Sequence, residues 1–326
     1  MPKTNTRERI FSYIQENHRV SPKELVEEIK ISSQALFKQI KKLLNEKKIE
    51  KIGSSPKVFY QISQDQLELN KEDIEDNKVL QFIKTNFYTV TPLGVEKKGV
   101  DGFRYWCKKR NCPINKTANE YMSTCERYNL YKDGVHINGT AKMKKTFKNV
   151  WMDDLFYLDF YAIERFGKTK LGYMLLYAKQ SQTHTYINSL IQYISDPIKE
   201  IIKKYNVDGI AFAPPTVKRE VQLMKELEKK VSFGLKVVSI EKVKTPIIVP
   251  QKTLSKLDDR IENARNTMVV TENNEFNTIL LIDDAVGSGA TLNEISAQIK
   301  RKKICKKLIC LAITGSFKGF DVISEV

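Results

Sequence analysis

The sequence lacks the features that would place it in a membrane or outside the cell. No apolar run approaches the length of a membrane-spanning helix. The first residues, Met-Pro-Lys-Thr-Asn-Thr-Arg, contain no apolar signal segment. The five cysteines, an odd number without a regular framework, fit a reducing compartment better than a disulfide scaffold. We therefore expect a cytoplasmic protein with no membrane partner.

Paired metal-binding motifs are also missing. Cys107, Cys112, Cys125 and His136 are candidate zinc ligands, but they lack the Cys-x-x-Cys spacing of a zinc knuckle. Buried thiols or ordinary surface cysteines are therefore the favoured interpretation. The chain has only 3 histidines, and isolated ones such as His136 and His184 are more often structural than catalytic.

What the sequence does contain is enough apolar material for packed domains and an excess of positive charge. Its 326 residues allow two or three domains, and 41% hydrophobic residues suffice for their cores. The formal net charge of +16 indicates attraction to polyanions. High lysine together with Ile, Asn and Tyr can also reflect genome composition, so charge alone identifies no partner.

Residues 1–64 have the pattern of a small α+β domain. Its predicted elements are a helix through Ile10 and Ile14, a second helix capped by Ser21, a third capped by Ser32 or Ser33, and a hairpin of the runs 49–52 and 58–62. Pro22 at the first position of the second helix and Glu24 in its capping box strengthen that assignment. This order of elements resembles a winged-helix DNA-binding domain.

The third helix and the hairpin would present polar and basic side chains to a duplex. These are Ser33, Gln34, Lys38, Lys41 and, at the tip of the hairpin, Lys57. Glutamine can read a base edge, whereas lysine mostly contacts phosphate. The alternative is a winged helix used for protein contacts or dimerisation, with its charges solvated. We favour DNA binding, and expect a homodimer because winged-helix proteins commonly bind palindromes.

The middle of the chain is less informative. The polar and acidic residues 65–77 are typical of a linker. Residues 78–150 are predicted as a mainly helical connecting region, with helices around Val79–Ile83, Phe103–Lys109 and Thr117–Tyr128.

Residues 151–326 are predicted as one α/β domain. A β-hairpin is expected from Tyr157–Phe166 and Thr169–Lys179, followed by a long helix over Thr185–Tyr205 that Pro197 bends or interrupts. Strands and helices then alternate over Val207–Ala213, Lys218–Val231, Leu235–Ile240, Thr278–Asp284, Leu292–Arg301 and Leu308–Thr314. This alternation predicts a doubly wound parallel sheet with a ligand site at the carboxyl ends of its strands.

The most informative segment is Ile279–Thr291, in which four apolar residues precede Asp283 and Asp284. The apolar run predicts a buried strand, and the residues from Thr291 onward have helical spacing. The connecting loop would present backbone N–H groups and hydroxyls at a helix N-terminus, which suits a phosphate; it consists of Ala285, Val286, Gly287, Ser288, Gly289, Ala290 and Thr291. Adjacent acids beside a phosphate need partners, and ribose hydroxyls with a hydrated divalent cation are the natural ones.

This combination resembles the 5-phosphoribosyl-1-pyrophosphate (PRPP) loop of type I phosphoribosyltransferases. The resemblance implies PRPP as ligand and Mg²⁺ held by Asp283 and Asp284, directly or through water. Ala285 and Gly287 depart from the residues that are usual in that loop. The alternative is an Asp-Asp pair that only caps a helix behind a Rossmann-like strand.

Two further segments of the same predicted domain contain basic or amide side chains that suit a ligand site. The loop of Pro215, Thr216, Val217, Lys218 and Arg219 follows a core strand and suits a pyrophosphate. Gln251, Arg260 and Asn263 lie in a long polar connection between two strands, which predicts a functional lid.

Together these segments resemble the competence-protein ComF branch of phosphoribosyltransferases over Tyr157–Ser316. The resemblance implies that the Pro-rich loop holds pyrophosphate, that the segment with Gln251, Arg260 and Asn263 forms a mobile hood, and that the loop ending at Thr291 binds the 5-phosphate. The four-cysteine zinc element usual in that branch is absent, and residues 78–150 stand in its place. The branch does not identify the acceptor, for which a nucleobase is one candidate.

Two functions remain open at this stage. The first is a Mg²⁺-dependent phosphoribosyltransferase in which Asp283, Asp284 and Arg219 carry the chemistry, fused to a DNA-binding domain. The second is a regulator that senses PRPP without consuming it, similar in architecture to the winged-helix purine repressors of Gram-positive bacteria. The ComF resemblance alone suggests a third, weaker role in handling incoming DNA.

Overall fold

The computed structural model describes residues 5–17, 19–63, 74–181, 183–215, 217, 219–243, 249 and 251–317. The chain divides into two compact units. The first contains the described residues up to Glu75 together with Thr91–Val95 and Pro113–Asn115. The second contains the described remainder.

The first unit has the predicted order of three helices and a hairpin: α1 Thr6–Asn17, α2 Pro22–Ile29, α3 Ser33–Asn45, β1 Ile49–Ser54 and β2 Lys57–Ile62. The capping box at α2 is confirmed, because Ser21 Oγ accepts from Glu24 N at 3.2 Å and the Glu24 carboxylate accepts from Ser21 N at 3.4 Å. Ser32, not Ser33, caps α3 by accepting from Ala35 N. The sequence therefore encodes these helix starts locally.

The core of the first unit joins the helices to the hairpin. β1 and β2 pair antiparallel from Ile49–Ile62 to Ser54–Lys57. Val20 exchanges two backbone hydrogen bonds with Tyr60 and so attaches the segment after α1 to β2. Buried apolar residues from all five elements form one cluster, among them Ile10, Leu25, Leu36, Ile49 and Tyr60.

The second unit begins with short elements: α4 Asn77–Asn86, β3 Tyr88–Val90, β4 Glu96–Lys98, α5 Gly99–Lys109, α6 Ile114–Asn129, β5 Lys132–Asp133, β6 His136–Asn138 and α7 Thr140–Thr146. The three helices predicted in this region are confirmed as α4, α5 and α6. The two short strand pairs were not predicted. The domain boundaries drawn from the sequence at 64, 77 and 150 stay predictions.

The remaining elements build the α/β part of the second unit. In chain order they are β7 Asp154–Phe160, β8 Ala162–Ile163, β9 Gly167–Lys168, α8 Lys170–Gln180, α9 His184–Lys204, β10 Gly209–Phe212, α10 Leu223–Val231, β11 Lys236–Val237, β12 Ile240–Lys242, a 3₁₀ turn at Gln251–Thr253, α11 Leu257–Thr267, β13 Met268–Val270, β14 Phe276–Val286, α12 Ala290–Arg301 and β15 Cys305–Gly315. None of the helices within the described residues is long and apolar enough to span a membrane.

A seven-stranded sheet organises this part, in the order β11-β10-β14-β15-β7-β6-β5. The five strands from β11 to β7 are parallel, and β6 and β5 join antiparallel at one edge. Helices α8, α9 and α10 pack on one face through a cluster that includes Leu175, Ile194, Leu227 and Leu280. α12 contacts β15 through Ser296 and Cys310, whose side chains lie 3.4 Å apart. The fold is mixed α/β with a mostly parallel sheet, consistent with a wound α/β fold.

The predicted hairpin over Tyr157–Lys179 is wrong. β7 ends at Phe160, and only the two-residue strands β8 and β9 pair there. Lys170–Gln180 is a helix because Thr169 caps it through Gly172 N at 3.0 Å and because its buried residues recur at helical spacing. The tyrosines of this segment are typical of a strand, which explains the wrong prediction. In the folded protein the segment is a helix, because its apolar residues are buried on one helical face.

Two other predicted elements have different bounds. The helix expected over Lys218–Val231 begins only at Leu223. The strand expected over Leu235–Ile240 is split into β11, in the main sheet, and β12, which pairs antiparallel with β13. β12 and β13 thereby form a separate two-stranded sheet, and the long polar connection with Gln251, Arg260 and Asn263 runs from one strand to the other.

Candidate functional site

The carboxyl edge of the parallel sheet brings two of the predicted loops together. Phe212 at the end of β10 pairs with Ile282 of β14, and Ala213 N donates to Ile282 O at 2.8 Å. The Pro-rich loop therefore starts beside the acidic pair, because neighbouring parallel strands end at the same edge. β14 continues to Val286, so Asp283 and Asp284 lie within the last residues of the strand rather than after it.

A cavity of about 210 Å³ lies at this edge. Of the described residues that the sequence assigned to the phosphate, pyrophosphate and hood segments, all but Asn263 line it: Pro215, Val217, Arg219, Gln251, Arg260, Asp283, Asp284 and all of residues 285–291. Lys179, Pro214, Gln222 and Met224 also line it and were not predicted. Thr216 and Lys218 lie outside the described residues.

The acidic pair is held by a lysine from another element. Lys179, in the last turn of α8, places its Nζ 3.0 Å from Asp284 Oδ2. Asp283 Oδ1 accepts from Asp284 N at 2.8 Å. Loss of hydration and the neighbouring charge of Asp284 raise the pKa of Asp283, and Lys179 and the backbone hydrogen bond offset only part of this. A cation bound at the pair would lower the pKa of Asp283 and favour its charged form.

The loop after β14 is shaped by Gly289. This residue has φ of +79° and is the N-cap of α12, without a side chain to cap the helix. A Cβ atom on it would lie 2.6 Å from Met143 Sδ and 2.9 Å from Met143 Cε. Both conditions require glycine. Ser288 Oγ accepts from Ala290 N at 3.3 Å and so supports the turn into the helix.

The Pro-rich loop folds over the end of α8. The Arg219 guanidinium donates through Nη1 to the carbonyl oxygen of Lys179. Gln222 Nε2 donates to Val217 O at 3.1 Å and closes the loop on itself. Arg219 and Lys179 thus bring two cations to the cavity from adjacent positions.

The hood segment is anchored rather than loose. The Arg265 guanidinium contacts both carboxylate oxygens of Glu294 on α12, at 3.2 and 3.4 Å. Gln298 of α12 donates to Met268 O and accepts from Val270 N. Gln251 Nε2 donates to Arg260 O at 3.0 Å. These contacts hold α11 and β13 against the helix that follows the loop 285–291.

Asn263 is the predicted hood residue that does not line the cavity. Its Nδ2 donates to Val249 O at 3.4 Å, and its Oδ1 is buried without a hydrogen-bond partner among the described residues. The structure therefore places Asn263 outside the ligand space that Gln251 and Arg260 border.

The two histidines considered above and the cysteines do not line the cavity. His136 is buried against Phe156, with ring centroids 4.2 Å apart, and burial lowers its pKa. His184 lies on the surface, 3.7 Å from Glu226. The five cysteines are free. Within the described ranges no three His, Cys, Asp or Glu side chains converge as metal ligands.

In the first unit, the side chains expected to face DNA are all exposed: Ser33, Gln34, Lys38 and Lys41 on α3 and Lys57 on the hairpin. Phe37 lies between them on α3 and is 50% exposed. The sequence did not predict that Phe37 is exposed on this face, because it is an apolar residue among basic ones.

The three-helix unit with its β-hairpin is a winged helix-turn-helix, a DNA-binding class of domain. Residues 3–50 match the family model described as Winged helix-turn-helix DNA-binding. No curated protein matches the chain. The family is therefore shown for the N-terminal domain alone.

Proposed function

We propose that this protein binds PRPP in the cavity at the sheet edge, has a type I phosphoribosyltransferase-like domain there, and binds DNA through its winged helix. The observation that carries the proposal is the convergence of three separately predicted segments on one cavity. Their residues come from the ends of β10 and β14 and from the connection before β13. An Asp-Asp pair that merely caps a helix would not require Arg219, Arg260 and the acidic pair to share a space.

The charge distribution of the cavity supports an ester with two separated anionic groups. Arg219 and Lys179 lie near the Pro-rich loop, and Arg260 lies with the loop 285–291. The acidic pair lines the same cavity, where the ribose of such a ligand would meet it. Backbone N–H groups at the start of α12 favour the anion at that end.

Mg²⁺ fits the donor set of this site. Asp283 and Asp284 offer carboxylate oxygens, which magnesium prefers. A bound cation would act against the burial and the charge of Asp284, which raise the pKa of Asp283. A bound magnesium ion would neutralise part of the pyrophosphate charge. Lys179 supplies a competing positive charge to the same pair.

The chain's own residues suit cleavage of the bond between ribose and pyrophosphate. Arg219 would stabilise the departing pyrophosphate through charge-assisted hydrogen bonds. The acidic pair would hold the ribose hydroxyls and face the positive charge that develops on the sugar. The segment with Gln251 and Arg260 would cover the site and exclude water.

With such a site the protein can act as an enzyme or as a sensor. The winged helix supports the sensor as the alternative to the enzyme. A sensor would bind PRPP and change the affinity for DNA by a coupling free energy between the two sites. A homodimer and a cytoplasmic location remain expectations that accompany either role.

A measurement of turnover distinguishes the enzyme from the sensor. The protein is incubated with PRPP, Mg²⁺ and a panel of nucleobases, and pyrophosphate release is measured. Release with one acceptor supports a transferase. Binding of PRPP without release for any acceptor supports a sensor, and the absence of PRPP binding removes both.

A further inference from the structure

Arg260 is a buried cation without a counter-charge in the described part of the chain. The residue is only 5% exposed, and none of the carboxylates placed by the structure forms an ion pair with it. Its Nε donates to Leu254 O at 2.6 Å, whereas its Nη2 is buried and has no hydrogen-bond partner among the residues that the structure describes. Burial lowers the pKa of Arg260, but a guanidinium remains protonated at neutral pH. A buried charge in this state costs free energy until something pairs with it.

The Nη1 end of this guanidinium lies near the loop 285–291. Arg260 lines the cavity, and its Nη1 lies 3.8 Å from the position a Cβ atom would take on Gly287. Residue 287 is a glycine, so no side chain of that residue fills the space between the loop and Nη1. The loop 285–291 and Arg260 therefore line the same part of the cavity.

The position of Arg260 is fixed by the rest of α11. The Arg265–Glu294 contact and the two hydrogen bonds of Gln298 attach the hood to α12. Gln251 restrains the backbone at Arg260 as well, because its amide donates to Arg260 O. A donor held in this way loses little conformational entropy when a ligand binds.

We infer that Arg260 is a direct ligand of the phosphate group that the loop 285–291 receives. Its guanidinium would contact the phosphate oxygens together with the backbone N–H groups at the start of α12. A phosphomonoester fits better than a carboxylate, because N–H groups and hydroxyls approach from several directions and suit a tetrahedral anion. This inference rests on the proposed function and adds to it the residue that discriminates the phosphorylated end of the ligand.

The test compares binding of ribose 5-phosphate, inorganic phosphate and ribose by titration calorimetry. Full-length wild-type protein is compared with Arg260→Gln, Arg260→Lys and one control. The control, Arg127→Gln, removes an exposed arginine that pairs with Glu164. Thermal unfolding without ligand shows whether each variant folds.

The expected result is a loss of about tenfold or more in affinity for ribose 5-phosphate in Arg260→Gln. The loss should be similar for inorganic phosphate, Arg260→Lys should retain part of the affinity, and Arg127→Gln should bind as wild type does. Should Arg260→Gln unfold, Arg260→Lys is compared with Arg127→Gln: weaker binding in Arg260→Lys supports the inference, and equal binding overturns it.

Other outcomes separate this inference from the function beneath it. Wild-type affinity for ribose 5-phosphate in Arg260→Gln would overturn the inference and leave the PRPP site standing. Arg260-dependent binding of inorganic phosphate, with ribose 5-phosphate bound no better, would support the inference and overturn the PRPP site. No binding of any probe by wild type would overturn both.

Discussion

Lys179 of α8 reaches Asp284 of β14, and its ammonium nitrogen lies 3.0 Å from the carboxylate. This ion pair connects α8, which was predicted as a strand, to β14, which carries the acidic pair of the segment Ile279–Thr291. It gives the acidic pair a protein cation of its own. Any other cation that binds these carboxylates has to share them with Lys179.

Replacing Lys179 by Met should therefore strengthen divalent cation binding at the acidic pair. Removal of a positive charge about 3 Å away is expected to raise the affinity for Mn²⁺, as a probe for Mg²⁺, by about tenfold or more. Electron paramagnetic resonance of free Mn²⁺ measures this. Lys199→Met, which removes an exposed lysine paired with Asp196, is the control. Equal or weaker Mn²⁺ binding in Lys179→Met would show that the pair does not hold a cation.

The raised pKa of Asp283 predicts a pH-dependent stability. In the folded protein the pKa of this carboxyl lies above 3.8, its ordinary value, so the folded state binds the proton more tightly than the unfolded chain does. Stability contributed by Asp283 therefore falls as pH rises from about 4 towards neutral. Asp283→Asn should be more stable than wild type at neutral pH, by about 1 kcal/mol or more, and similar to it in acid.

Thermal unfolding across this pH range checks the prediction. Asp196→Asn serves as control, because Asp196 is 90% exposed and its carboxyl is solvated. A stability difference between Asp283→Asn and wild type that does not change with pH would contradict the assigned cause.

Gly289 offers a direct test of the loop geometry. Gly289→Ala should destabilise the protein because of its φ of +79° and because the new methyl group overlaps Met143. Gly167 has the same φ with nothing within 4 Å of a Cβ, so Gly167→Ala should show the backbone cost alone, about 1–2 kcal/mol. The difference between the variants, about 1–3 kcal/mol, is the overlap.

Urea unfolding measures both variants. Met143→Ala is itself destabilising because Met143 is fully buried, but Gly289→Ala should cost less in the Met143→Ala background than in wild type. Equal destabilisation by the two glycine substitutions would contradict the packing of α7 against the loop.

Several of these relationships could be predicted from the sequence and others could not. The buried strand at Ile279–Ile282, the loop that follows it and the caps at Ser21 and Ser32 depend on neighbouring residues, and local patterns predicted them. Lys179 and Gln222 were missed because their positions depend on how α8 and the Pro-rich loop pack. β5 and β6 were missed for a different reason, because two- and three-residue strands carry little local pattern.

Salt dependence tests the DNA-binding face. Lys38→Gln and Lys41→Gln should weaken binding to duplex DNA and reduce the slope of log affinity against log salt by about 0.9 for each phosphate that is no longer neutralised. Lys23→Gln on α2 is the matched control, since Lys23 is exposed and pairs only loosely with Glu27 at 3.9 Å. Fluorescence anisotropy with a mixed-sequence duplex gives the slopes. Identical slopes in all variants would place the phosphate-binding residues elsewhere.

The central claim is that the cavity beside β14 binds PRPP through the acidic pair. Calorimetric titration with PRPP in the presence of Mg²⁺ tests it, with Asp284→Asn as the variant and Asp196→Asn as the control. Wild type and Asp196→Asn should bind PRPP, and Asp284→Asn should bind it about tenfold or more weakly with its thermal unfolding unchanged. PRPP affinity unchanged in Asp284→Asn, or absent in wild type, would contradict a PRPP site at the acidic pair.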